Sequence, residues 1–313
     1  MRKGECLSNY AAKPGHIDIP SRQPYDVNEA IWQEGAPLNI LHERISLHTW
    51  TLDTTPLADA LRISREAGYN GVELRHIDFL RCQKLGMSEA AMVTLVRDAG
   101  IQVVVVGTEG GVLFAQGEEL KRLLGSLRYV CDKAVALGCG VIMVAPGLSA
   151  DGGMARAQAN MKACADICGE HGLRIGVEFN SRHPVLHTVA DGMTLVDGVN
   201  MPNCGILLDT YHLHCSGGNA QSFRNVAVEK IITFQFSDAP PGPPSEVRTP
   251  VDRLPPGKGV APFLDILRTL MQKGYQGYMS YEAPNPAQWS RPADEVAREG
   301  LTLMRQLLSQ AEA

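Results

Sequence analysis

The sequence has no excess of basic residues: 29 Lys and Arg against 34 Asp and Glu leave a formal net charge of −5 and a pI near 6.0. A protein that grips a duplex neutralises several phosphates with Lys and Arg, and no stripe of them occurs here, so nucleic acid is not expected as a partner. No stretch of 18 apolar residues occurs either, which removes a membrane-spanning helix. The first residues, MRKGECLSNYAAKPGHIDIP, carry no apolar signal core, and the expected location is cytoplasmic. Of the eight cysteines no two stand as Cys-x-x-Cys, and most sit inside apolar segments, so a disulfide scaffold is excluded in a chain this long. Cys164 and Cys168 would share one helix face and read as small buried hydrophobes rather than thiolate ligands.

What is present is the composition of a folded protein, 44% hydrophobic and 20% charged. Residues 1–37 are polar, rich in Gly and Pro and without period, and are expected to form an arm or irregular extension. Residues 38–313 are expected to form a single domain. Across them an apolar run is repeatedly followed by a stretch with apolar positions at helical spacing. The runs are LNILHERISLHTW, NGVELRH, IQVVVVGTEGG, CGVIMVAPG, LRIGVEFN, CGILLDTY, KIITFQFSD and YQGYMSYEAPNP. TPLADALRISREAG, SEAAMVTLVRDAG and GEELKRLLGSLRYVCDKAVALG read as helices, as do Met154 to Glu170, His187 to Val199, Ala220 to Lys230, Ala261 to Lys273 and Pro292 to Leu308. Continuous apolar strands suit a sheet covered on both faces, and right-handed crossovers at this spacing close it. No Gly-x-Gly-x-x-Gly follows the first strand, as a dinucleotide-binding open sheet would often carry. The expected fold is α/β, a (β/α)8 TIM barrel.

In such barrels the residues that do chemistry sit at the C-terminal strand ends. Those ends carry His48, Glu73, Arg75, His76, Glu109, Glu178, Asp209, His212, His214, Gln235, Asp238, Glu282 and Asn285. Glu178, Asp209, Gln235 and Glu282 end four consecutive strands and would converge on one mouth. Three carboxylates brought together repel one another unless a cation lies between them. An all-oxygen set with one amide carbonyl suits a divalent metal ion, Mn²⁺ first, with Mg²⁺, Co²⁺ or Zn²⁺ as alternatives. His212, three residues after Asp209, can donate to a substrate oxygen or carry a proton. In RTPVDRLPPGKG, Arg248, Arg253 and Lys258 occupy a loop stiffened by Pro and Gly, and Arg253 is expected to hold its guanidinium over the mouth. Glu73, His76 and His48 would line the opposite wall.

The motifs NGVEL, GVEFN, LLDTYH, FQFSDAP, RLPPGKG and GYQGYMSYE stand in the order and spacing of the xylose-isomerase-like barrel family, which the chain resembles over roughly residues 38–308. The resemblance implies a metal held by the acids Glu178, Asp209 and Glu282, with Glu178 and Glu282 exchanging a substrate proton and His212 and Arg253 holding substrate oxygens. Members commonly pair, so a homodimer or homotetramer is implied. The chain departs from most members in placing Gln235 where they carry histidine, as hydroxypyruvate isomerases and dehydroshikimate dehydratases also do. The expected activity is a metal-dependent isomerase or epimerase of a small polyhydroxylated keto compound through an enediolate. A dehydratase of dehydroshikimate or inosose type is the alternative, and a sugar-binding protein without catalysis the third.

Overall fold

The computed structural model describes residues 38–242 and 250–313, so the expected arm over residues 1–37 and the side chain of Arg248 lie outside the described residues. Eight parallel strands close in chain order: β1 (Ile45–His48), β2 (Gly71–Arg75), β3 (Gln102–Gly107), β4 (Val141–Val144), β5 (Arg174–Glu178), β6 (Cys204–Asp209), β7 (Ile231–Phe236) and β8 (Met279–Tyr281). β8 pairs back onto β1, with Leu47 opposite Tyr281. This is the (β/α)8 barrel the alternating runs require.

Around it lie α1 (Leu57–Ala67), α2 (His76–Lys84), α3 (Glu89–Asp98), α4 (Gly117–Ala136), α5 (Gly153–Glu170), α6 (Val189–Val199), α7 (Thr210–Cys215), α8 (Phe263–Gln272), α9 (Pro286–Trp289) and α10 (Ala293–Glu312). Their limits follow from local chemistry. α1 stops where Gly68 turns to φ +96°, and α6 starts at a capping box in which Thr188 and Asp191 each bond the other's backbone N–H. Gly300 lets α10 close onto β8, since a Cβ there would lie 2.2 Å from Cε1 of the buried Tyr281 ring.

Two expectations need correction. Leu38–Glu43 is a 3-10 turn rather than strand, because β8 offers β1 pairing only from Ile45 onward. Ala220 to Lys230 forms two 3-10 turns, Ala220–Phe223 and Val228–Lys230, rather than a helix. Ala220, Phe223 and Val226 are buried at a strict spacing of three, which matches three residues per turn and not 3.6.

One irregularity positions the site. The pairing of β6 with β7 slips between Ile206 and Leu207, and the slip places Asp209 opposite Gln235; an unbroken register would have set it against Phe234. A shift of one residue exchanges the two faces of a strand, so this bulge determines which side chain stands beside Asp209. Across the next pair Gln235 stands opposite Ser280, two residues before Glu282.

Candidate active site

Glu178 ends β5, Asp209 ends β6 and Glu282 immediately follows β8, and each offers a carboxylate oxygen within 4.8 Å of the other two. All three are buried. Asp209 is held on both oxygens: Oδ1 accepts from the backbone N–H of His212 at 2.8 Å, capping α7, and Oδ2 accepts from Nη1 of Arg253 at 2.7 Å. The same Nη1 donates to Oε2 of Glu282 at 2.8 Å. Arg253 therefore lies within the acid cluster, only 1% exposed, and not above the mouth as its loop suggested. The reason is its tether. Asp238 pairs with Leu254 in a two-way backbone bridge, its carboxylate accepts from the N–H groups of Ala239, Gly259 and Ala261, and Asn285 donates to the Arg253 carbonyl. Underneath, the Tyr211 ring supports the guanidinium at 4.7 Å.

Each glutamate faces a buried imidazole. Nδ1 of His212 meets the backbone N–H and the Oγ of Ser181 at 3.3 and 3.0 Å, and its Nε2 lies 3.7 Å from Oε1 of Glu178. The backbone N–H of Trp50 donates to Nδ1 of His48, so Nε2 of that ring carries the hydrogen, 3.4 Å from Oε1 of Glu282. Burial drives His212 down to about 3 and His48 well below its ordinary value, so both rings are neutral near pH 7. Arg253 Nη2, which can only donate, approaches Nε2 of His212 to 3.2 Å, so the guanidinium and this ring share one corner of the site.

Burial pushes Glu178 well above the carboxylate range, and the charges of Glu282 and Asp209 push it the same way. Burial likewise raises Glu282 to about 7 despite the downward pull of Arg253. One guanidinium does not balance three acids, and this donor set fits a divalent cation. Gln235 adds to that fit. Its Nε2 donates to Glu73 Oε1 at 2.9 Å, whereas its carbonyl Oε1 is buried without a protein partner, as a fourth oxygen ligand would be.

The structure thus brings together Glu178, Asp209, Glu282, His212 and Arg253, with Gln235 beside Asp209. Glu73 and His48, expected on the opposite wall, stand directly against the cluster, wholly buried, Glu73 at Gln235 and His48 at Glu282. His76 instead starts α2 and stands edge-on to Tyr129, with Glu109 and Arg122 as its charged neighbours. Lys258 is exposed. Sequence reasoning missed Ser181 as the partner of His212 and the clamp formed by Asp238 and Asn285, although both clamp residues stand at strand ends.

The model of the xylose isomerase-like TIM barrel family matches residues 61–307. The chain belongs to that family. Within it, this xylose isomerase-like barrel is 22% identical to an inosose isomerase of Halalkalibacterium halodurans over 262 residues, 79% of this chain and 90% of the relative. It is 25% identical over 259 residues to a 3-dehydroshikimate dehydratase of Pseudomonas putida, matching 82% of this chain but 40% of that longer protein. A solved IOLI protein with a bound zinc atom shares the barrel at a TM-score of 0.78 and 20% identity, covering 86% of this chain and 99% of the other. No helix among the described residues is long and apolar enough to cross a membrane.

Proposed function

We propose that this barrel is a divalent-metal-dependent isomerase or epimerase of a small polyhydroxylated keto compound, acting through an enediolate. The observation that carries the reading is the pair Glu178 and Glu282, two buried carboxylates of raised proton affinity that converge with Asp209 within 4.8 Å and each face a neutral imidazole. A proton beside a ketone is too weakly acidic for an unaided carboxylate, and a bound divalent cation supplies the positive charge that stabilises the developing oxyanion. Glu178, Asp209, Glu282 and the carbonyl of Gln235 would hold that ion, with Mn²⁺ preferred by the all-oxygen set and Mg²⁺, Co²⁺ or Zn²⁺ as alternatives. Glu178 removes the proton from one side of the substrate carbon, and Glu282 delivers one from the other. Arg253 and His212 orient a substrate oxygen.

Return of the proton to the same carbon gives an epimer, and return to its neighbour an isomer. Loss of a β-hydroxyl instead would make the enzyme a dehydratase, a second reading supported by Gln235 and by the dehydratase relative. The family resemblance supports a homodimer or homotetramer. The seven described cysteines, all free and buried, suit a cytoplasmic location.

The test is deuterium uptake from D₂O into a panel of ketoses, inososes and dehydroshikimate, with metal analysis of the wild type, Glu178→Gln and Glu282→Gln. Exchange into one substrate, lost in both variants, supports the reading, and the product separates epimer, isomer and dehydrated compound. A metal-loaded protein that exchanges nothing across the panel refutes it.

A further inference from the structure

Gln235 raises a question of orientation. A side-chain amide has a carbonyl end and an NH₂ end of nearly the same shape, and a half-turn about its last bond exchanges them. Turned one way it offers a cation an oxygen, and turned the other it aims two N–H dipoles at the cation and repels it. Something must choose.

We infer that Glu73 makes the choice, acting as the positioning residue that occupies the NH₂ end of Gln235 and leaves the carbonyl Oε1 to complete the oxygen set of Glu178, Asp209 and Glu282. Oε1 of Glu73 accepts from Nε2 of Gln235 at 2.9 Å between side chains that are both 0% exposed, so water does not compete for the bond. The other end of the amide, Oε1 of Gln235, is buried and has no protein partner. Register places Gln235 beside Asp209 on β6 and beside Ser280, two residues before Glu282, on β8, so the amide shares the barrel level of the acids. Glu73 comes from the far side of the chain, at an irregularity of β2 where the pairing with β3 slips between Val72 and Glu73. Between β2 and β7, Ser46 of β1 and Ser280 of β8 join at 2.7 Å. A buried glutamate is costly inside a barrel, and Glu73 has the hydroxyl of Ser280 and this amide as its hydrogen-bond partners. Outer partners that orient a ligand typically change metal affinity 10–100-fold when removed.

This inference rests on the metal reading of the acid cluster, and its test is a Mn²⁺ titration rather than an activity assay. Mn²⁺ dissociation constants of the full chain are measured by competition with a fluorescent chelator for wild type, Glu73→Met, Glu73→Leu, Glu73→Gln, Gln235→Leu and the double variant Glu73→Met with Gln235→Leu. Met and Leu remove the acceptor, and Gln keeps one. The expected result is about 10–100-fold weaker Mn²⁺ binding in Glu73→Met or Glu73→Leu, whichever folds, with Glu73→Gln within about threefold of wild type. In the Gln235→Leu background the Glu73→Met change should cost nothing further, because Glu73 acts through the amide. Binding unchanged in the apolar variants, or an equal loss with and without Gln235, overturns the assignment. A wild type that binds no Mn²⁺ overturns it together with the metal reading, whereas one that binds Mn²⁺ through Glu73 but exchanges no substrate deuterium removes only the proposed activity.

Discussion

Arg253→Met replaces a wholly buried guanidinium by an apolar side chain of similar length, and the structure sets the size of the loss. Nη1 bridges Asp209 at 2.7 Å and Glu282 at 2.8 Å, with all three groups almost completely buried. Removing one member of such a pair leaves charge buried without compensation and typically costs about 3–5 kcal/mol, far more than the attraction across an exposed pair. The unfolding entropy of a body this size is roughly 0.6 kcal/mol/K, so the expected fall in Tm of the metal-free protein is ~5–8 °C. The control is Arg62→Met, whose partners Asp59 and Glu66 are half-exposed; there about 1 kcal/mol or less is at stake, a change of ~2 °C or below. The deficit should also depend on pH. Glu282 titrates at about 7 in the folded chain against 4.5 for the free side chain, so the folded state holds its proton more tightly and stability falls as pH rises between those values. Arg253 pulls the folded value down, and without it the fall extends above pH 7. Thermal unfolding with EDTA at pH 5 and pH 8 should therefore show the larger Arg253→Met deficit at pH 8. If Arg253→Met and Arg62→Met both unfold within 2 °C of wild type at pH 8, the buried bridge does not hold the site together and the reasoning fails.

Asp238→Ala removes the acceptor of three backbone N–H groups, and we expect at least about 2 kcal/mol of lost stability together with a fall of tenfold or more in kcat/KM, with Asp238→Asn intermediate; thermal unfolding and steady-state kinetics check both. Gly300→Ala sets helix propensity, worth up to about 1 kcal/mol in its favour, against a contact of 2.2 Å to the buried Tyr281 ring, which stacks on Phe236; net destabilisation of about 1–3 kcal/mol is expected, and a raised Tm would show that α10 can back away from β8. Thr188→Ala breaks the capping box of α6 and should cost about 1 kcal/mol in denaturant unfolding, with metal affinity unchanged.

The positions of Glu178, Asp209 and Glu282 were legible because a parallel strand buried on both faces announces its own end, the apolar run stopping where the acid begins, and Gln235 stood out as an amide between two phenylalanines at the end of β7. The barrel followed from the same runs. Depth and rotation were not legible. The level at which Arg253 enters depends on the bridge between Asp238 and Leu254, residues far apart in the chain whose pairing leaves no local period. The orientation of the Gln235 amide depends on Glu73, distant in sequence and joined to it only across the barrel. Ala220 to Lys230 misled because apolar positions three apart satisfy the helical pattern as readily as the tighter turn, and only packing of Phe223 and Val226 against the barrel separates the two.

The clamp at Asp238 gives a single side chain control over the far end of the connection after β7. Its backbone pairs with Leu254 and its carboxylate holds Gly259 and Ala261, while the Pro250 carbonyl accepts from Arg253 Nε at 3.2 Å. A change at Asp238 would therefore loosen the guanidinium from the acids without altering any group that touches them.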